Sequence, residues 1–197
     1  MQEENRQKGD HRFTQIDTAR LIIRRFQEAD ATPFMAMRNL KEVALYQGWS
    51  LPYSPSDTAS FIKQMVSALP DVAGDWFQFA LEERASGLFI GDIGIFPDNV
   101  GWGEVELGFS LHPAHQGKGL MAEALTALLD YLFNQRGKKR MQAIADVRNV
   151  PSWHLLERLG FVRERTLLPD LKGQPPSEAE YAYGLMAVNW HSRSTRG

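Results

Sequence analysis

The stretch LHPAHQGKGLMAEALTALLDYLF, residues 111–133, decides the fold. An apolar strand end runs into a proline turn, then a pair of glycines, then a helix. Leu125, Leu128, Leu129, Leu132 and Phe133 recur along that helix at three-and-four spacing, which lays one face of it on a sheet. At its start, the first turn leaves backbone N–H groups without intrahelical partners, and the aligned peptide dipoles add partial positive charge there. Gly117 and Gly119 carry no Cβ, so an anionic ligand can approach the backbone closely. The stretch therefore reads as strand, anion-binding turn and helix, a design suited to a pyrophosphate. Other phosphate loops fit less well. The nucleotide-triphosphatase loop ends in Gly-Lys-Ser/Thr, and the dinucleotide fingerprint needs a third glycine where this chain has Ala122.

Working outward, residues 20–26 read as a strand and 28–40 as a helix with Asp30 or Thr32 as its cap. An aromatic loop with Gly and Pro spans 46–53, and a second helix spans 56–69. Residues 76–83 and 88–96 form a hairpin across 84–87, and a turn at 101–103 leads into a third antiparallel strand over 105–111. After the glycine-led helix come a strand over 141–147 and a helix that Pro151 opens and Gly160 closes. Residues 161–168 and 179–185 make a final hairpin around Gly173-Gln-Pro-Pro. The strand, helix and strand from 111 to 147 form a crossover, which requires those two strands to be parallel within an otherwise antiparallel sheet. The expected class is α/β (α+β), with a mixed, mostly antiparallel sheet of about seven strands flanked by helices. A single domain is expected over 13–190, between a disordered tail at 1–12 and a C-terminal tail at 191–197.

Composition narrows the function. With 197 residues, 43% hydrophobic and 23% charged, the chain suits one well-buried domain. A net charge of −2 and a pI of about 6.2 do not indicate a nucleic-acid or membrane-surface partner. The basic run Lys138-Lys139-Arg140 stands where a helix ends, and cations there complement the helix C-terminus. Without cysteine there is no disulfide, no thiolate metal site and no cysteinyl acyl-enzyme. His112, His115 and His154 lack ligand spacing, so no metal is expected, and Trp153 and Trp190 read as packing residues. The polar N-terminus has no apolar signal core, and no segment approaches the roughly 18 apolar residues of a membrane span, so a cytoplasmic protein is expected.

Gln116-Gly117-Lys118-Gly119-Leu120-Met121 resembles the acyl-CoA signature of the GNAT superfamily of N-acyltransferases, Gln/Arg-x-x-Gly-x-Gly/Ala, with Met121 in place of the last small residue. Asn149-Val-Pro-Ser152, followed by Leu159-Gly160-Phe161, resembles that family's Asn-x-x-Ser/Ala helix and its closing Leu-Gly-Phe. Glu104-Val-Glu106-Leu-Gly108-Phe-Ser-Leu111 resembles the strand with the catalytic carboxylate. Thr18-Ala-Arg20-Leu-Ile-Ile-Arg24-Arg25 resembles the first strand of the branch that acetylates ribosomal-protein N-termini.

The resemblance implies acetyl-CoA as acyl donor and a cleft where the two parallel strands splay apart. In that cleft the pantetheine arm pairs with backbone at Phe109 and Leu111 and is held by Asn149. The pyrophosphate lies on Gln116, Gly117, Lys118, Gly119, Leu120, Met121 and Ala122. Glu106 occupies the place of a general base acting through water, and Glu104, on the same strand face by period two, is the alternative. Many relatives have a tyrosine acid at the position of Leu156. Here Ser152 is the candidate to hydrogen-bond the leaving thiolate, its other role being a first-turn helix residue. An α-ammonium has an ordinary pKa of about 7.7–8.0, against about 10.4 for lysine, so a carboxylate base suits an N-terminus. The expected activity is acetyl transfer to a primary amine by direct attack in a ternary complex, with a protein N-terminal α-amine as first choice of acceptor. The alternatives are a small amine (polyamine, amino sugar or antibiotic) or a non-catalytic acyl-CoA-binding module. Acceptor choice is expected in the loops 47–53 and 167–177, and the protein is expected to be a monomer or homodimer.

Overall fold

Alternation along the strands builds a sheet with two unequal apolar faces. The computed structural model describes residues 9–168 and 178–194. Expectations that fall on 1–8, 169–177 and 195–197, including the turn around Gly173 and most of the second acceptor loop, lie outside the described residues. The strands are β1 (Gln15–Asp17), β2 (Leu21–Arg25), β3 (Phe77–Glu83), β4 (Leu88–Pro97), β5 (Glu104–Leu111), β6 (Arg140–Asp146), β7 (Val162–Leu167) and β8 (Glu180–Met186). The helices are α1 (Ala31–Arg38), α2 (Lys41–Ala44), α3 (Pro55–Ser67), α4 (Leu120–Asp130), α5 (Val150–Arg158) and α6 (Ala187–Ser194). The strand order is β1-β2-β3-β4-β5-β6-β8-β7, an eight-stranded sheet. Every neighbouring pair is antiparallel except β5 and β6, which are parallel as the crossover demands. The strand beyond the expected seven is β1, whose three residues, two of them exposed, are too few to show a period.

One sheet face, bearing Ile23, Phe79, Ile93, Ile95, Val105 and Leu107, packs on Ala124, Leu125, Leu128 and Leu129 of α4. Burial of each such large side chain contributes roughly 1.5–3 kcal/mol. The opposite face holds a smaller cluster of Phe26, Phe34, Ile62, Met65 and Ala80 under α1 and α3, with Phe34 stacked on Phe61 at 4.5 Å. A capping box between Ser54 and Asp57, with Pro55 in the first turn, starts α3. The helix expected over 28–40 is instead a 3₁₀ turn at Glu28–Asp30 leading into the shorter α1. Asp30 does not cap it, because its carboxylate accepts from both terminal nitrogens of Arg24 at 2.8 Å and from Gln27 N at 2.8 Å. Both expected tails reach into packed structure. Asp10 accepts a 2.6 Å hydrogen bond from Tyr131, and His191 of α6 places its Nε2 2.8 Å from Asn134 Oδ1. Among the described residues no helix is long and apolar enough to cross a membrane.

The parallel ladder decides where a ligand fits. It runs from Glu104 opposite Arg140 to Leu107 opposite Ala143 and then stops. The last four residues of β5 and the last three of β6 are not paired with each other, and β6 stays paired to β8. The two strands therefore splay towards their C-terminal ends, and the turn into α4 stands at the mouth of the gap.

Candidate active site

Between the splayed ends lies a cavity of about 990 Å³. One wall is built from Leu111, Gly117 and Met121, the other from Ala145, Asn149 and Ser152. The turn that enters it is held by local bonds. Pro113–His115 make a 3₁₀ turn in which His112 Nδ1 accepts from Ala114 N at 3.2 Å. Gly117 and Gly119 then take φ of 73° and 74°, left-handed backbone in which any side chain would be strained. Gly119 is the N-cap of α4 and caps it with no side chain, so the first-turn amides stay open to a ligand.

A brace behind the turn went unread in the sequence. Glu123, in the first turn of α4, accepts from Thr18 Oγ1 at 2.6 Å, Arg20 N at 2.7 Å and Arg20 Nε at 2.6 Å. Arg20 Nη1 also donates to the Lys118 carbonyl at 2.9 Å. Burial pushes the Glu123 carboxyl up, but the hydrogen bonds from Thr18 and Arg20 outweigh it and leave its pKa lowered. The sequence signal was an acid in the first turn of a helix, which commonly only complements the dipole.

The expected cofactor residues line the cavity, with the exception of Lys118. Lys118 is exposed and contributes its carbonyl to Arg20. Gln116 lines the cavity, yet its side-chain amide donates to the Leu111 carbonyl at 2.9 Å and ties the turn back to β5. Met121 departs from the signature without filling the turn, because its side chain is 6% exposed and packs into the core with α4. Asn149 Oδ1 accepts from Ser152 N at 3.4 Å and so caps α5. Its amide nitrogen and the Ser152 hydroxyl have no partner among the described residues. Leu156, at the position of the family tyrosine, is 1% exposed and belongs to the core.

The two glutamates of β5 differ sharply. Glu104 is bonded to Gln142 and lies 3.3 Å from Arg140. Glu106 is half-buried, has no hydrogen-bond or ion-pair partner among the described residues, and its pKa is raised by burial. It stands just outside the cavity lining, but the next residue on its face is Gly108, which does line the cavity. A Cβ there would meet nothing within 4 Å, so the space beside Gly108, between Glu106 and the rest of the cavity-lining strand end, is open. Glu180 of β8, which no motif in the sequence marks, has its own pKa raised by burial and by the charges of Asp146 and Glu106. On the other side, Tyr46 and Gln47 line the cavity, and Gln47 Nε2 donates to the Phe109 carbonyl at 3.4 Å. Trp153 Nε1 bonds the Val147 carbonyl at 3.2 Å, a packing role. No metal-holding group of His, Asp and Glu occurs among the described residues.

An acetyltransferase (GNAT) domain model matches residues 20–162. The chain is 27% identical over 155 residues to YoaA of Bacillus subtilis, an uncharacterised N-acetyltransferase, covering 79% of this chain and 86% of that protein. The fold matches ribosomal-protein-S5-alanine acetyltransferase from Vibrio fischeri with a TM-score of 0.75 at 20% identity, over 90% of this chain and 99% of that one. It also matches spermidine N-acetyltransferase from Vibrio cholerae, in complex with CoA and spermine, with a TM-score of 0.74 at 20% identity, over 88% and 99%. At that identity the solved structures speak for the fold. The family uses acetyl-CoA, and the glycine-led helix, the splayed pair and the cavity between them are of the size and polarity such a donor needs. The domain match over most of its length shows that this chain belongs to the GNAT family, and it is an N-acetyltransferase.

Proposed function

We propose that the protein moves an acetyl group from acetyl-CoA to a primary amine, with a protein N-terminal α-amine as first choice, by direct attack in a ternary complex. One observation carries the assignment of roles: Glu106 is the unpartnered, half-buried carboxylate of β5, one open glycine step from the cleft, while Glu104 is held by Gln142 and Arg140. The bound donor supplies an activated thioester. Gly117 to Ala122 hold its pyrophosphate on the backbone amides at the start of α4, and Asn149 holds the arm. Glu106 takes the proton of the acceptor ammonium through water, and its raised pKa makes it a stronger base than an exposed carboxylate. The Ser152 hydroxyl hydrogen-bonds the departing sulfur, and a thiol of ordinary pKa about 8.5 needs little more help.

The motif at residues 18–25 supports the ribosomal-protein branch. A cationic small amine is the second reading, supported by the carboxylate of Glu180, which feels the charge of Glu106, and by the fold shared with the spermidine enzyme. We take the catalytic unit to be the domain of residues 13–190, working in the cytoplasm as a monomer or homodimer. The deciding assay follows acetyl-CoA-dependent thiol release with peptides bearing free Ala or Ser N-termini, the same peptides blocked, and a panel of polyamines and amino sugars. Turnover of free peptides alone supports the first reading, and turnover of amines alone moves the assignment to a small molecule. Silence throughout, with CoA still bound, overturns both in favour of a binding module.

A further inference from the structure

Beneath the loop of residues 45–54 lies a charge pair that the proposed chemistry does not use. Arg38 ends α1, and Asp92 stands in β4 opposite Ser110 of β5. Their side chains are 8% and 4% exposed, yet Arg38 Nη2 and Asp92 Oδ2 are 3.7 Å apart, too far for a hydrogen bond. Arg38 Nε and Asp92 Oδ2 are buried with no hydrogen-bond partner among the described residues. Burial lowers the pKa of the guanidinium and raises that of the carboxyl to about 6, so desolvation exceeds the mutual attraction on both sides. A pair of apolar side chains would suit this site better on stability alone.

Arg38 makes its closest contacts with the loop instead. Its guanidinium lies 3.7 Å from the Trp49 ring centroid, and its backbone carbonyl accepts from Trp49 Nε1 at 3.1 Å, so one residue grips the indole by both face and edge. Arg38 Nη2 also donates to Gln78 Oε1 of β3 at 3.1 Å. The neighbouring Asn39 exchanges two hydrogen bonds with the Tyr53 backbone, at 3.0 and 2.9 Å. Just before the first of these anchors, Tyr46 and Gln47 form cavity wall.

We propose that Arg38, held over the sheet by Asp92, is the positioning residue of the acceptor wall: its grip on Trp49 sets where residues 45–53 stand against β4 and β5, and so governs acceptor binding and not donor binding. This rests on the proposed function and on the expectation from the sequence that residues 47–53 border the acceptor. An arginine suits the task because its rigid plane stacks on an indole and donates in fixed directions, which neither lysine nor an aliphatic side chain does. Asp92 supplies the negative charge that holds the guanidinium at this depth.

The test uses Arg38→Lys and the paired replacement of Arg38→Met with Asp92→Leu, which keeps the site filled and leaves no lone buried charge. Hydrogen exchange of peptides over 45–53 and over α4 is followed beside thermal melting. KM is measured for the free-Ala peptide, or for the small amine turned over in its place, and for acetyl-CoA. The expected result for both variants is exchange at 45–53 faster by roughly ten-fold with α4 unchanged, and acceptor KM raised roughly ten-fold with acetyl-CoA KM within about two-fold. An unchanged acceptor KM overturns the proposal, with or without faster exchange, as does an equal rise in both KM values. Those outcomes leave turnover by the unaltered enzyme, and hence its function, standing. An unaltered enzyme silent towards every amine marks failure of the functional reading instead, and unchanged exchange at 45–53 then overturns the grip on its own.

Discussion

Glu104 and Glu106 share a strand face and a side chain, and their neighbours separate them. Arg140 and Gln142 occupy the first, while the second is half-buried with no hydrogen-bond or ion-pair partner among the described residues. Glu106→Gln is therefore expected to lower kcat by roughly 10²–10⁴-fold with acetyl-CoA KM little changed. Glu104→Gln should leave kcat within a few-fold and act on stability through the lost Arg140 contact. Equal losses of kcat in the two variants would remove the distinction. The base works ionised, so kcat falls as pH drops through its pKa. Because burial raises that pKa, the acid limb of the profile should lie above the ordinary glutamate value of about 4.3, and Glu106→Gln should abolish the limb. The sequence placed both glutamates on one face by period two, but it held no information on which one Arg140, 36 residues away along the chain, would claim.

At the scale of elements, the start of α4 depends on a partner from the other end of the chain. Thr18 and Arg20 reach Glu123 across 103 to 105 residues of sequence, and Arg20 holds the Lys118 carbonyl as well. Glu123→Ala is expected to raise acetyl-CoA KM several-fold while acceptor KM stays level, and to cost about 1–2 kcal/mol in urea unfolding. An unchanged donor KM would show that the turn holds its shape unaided. The contact between α1 and β4 carries a pH signature. Asp92 has a folded pKa of about 6, above its unfolded value of 3.8, so its ionisation disfavours the folded state and stability falls as pH rises through that window. The penalty at pH 7 is about 3 kcal/mol, an order-of-magnitude figure in which the attraction of Arg38 is already counted. Arg38→Met removes that attraction, and because Asp92 can then take up a proton, the loss at pH 7 is expected to exceed the loss at pH 5, where Asp92 is already protonated, by about 1 kcal/mol. Equal losses at both pH values would indicate that the arginine contributes through packing alone. The helices and strands themselves were legible because three-and-four and two-residue spacing are local properties. β1 and α2 were not, since elements of three and four residues carry too few apolar positions to show a period.

For the molecule as a whole, binding and stability are linked through the splay of β5 from β6. A ligand in the gap bridges two strands that have no hydrogen bonds to each other beyond Leu107 and Ala143, so occupancy should stabilise the entire sheet. CoA at about 100 times its Kd is expected to add about 2.7 kcal/mol, or roughly 5–11 °C in melting temperature for a domain of this size. A melting temperature independent of CoA would contradict the cavity as the donor site.

The sequence by itself determined the fold class, the crossover and the glycine-led helix start, because strand alternation, helical spacing and positive-φ glycines are set by near neighbours along the chain; the family was legible only through the resemblance of its motifs. Only the tertiary structure decided which glutamate stays free, that Gln116 turns back to Leu111, that Glu123 is braced by Arg20, and that Arg38 faces Asp92 under Trp49. Those outcomes depend on which side chains meet across the sheet and on the cost of burying charge where they meet, and neither quantity is written in local spacing.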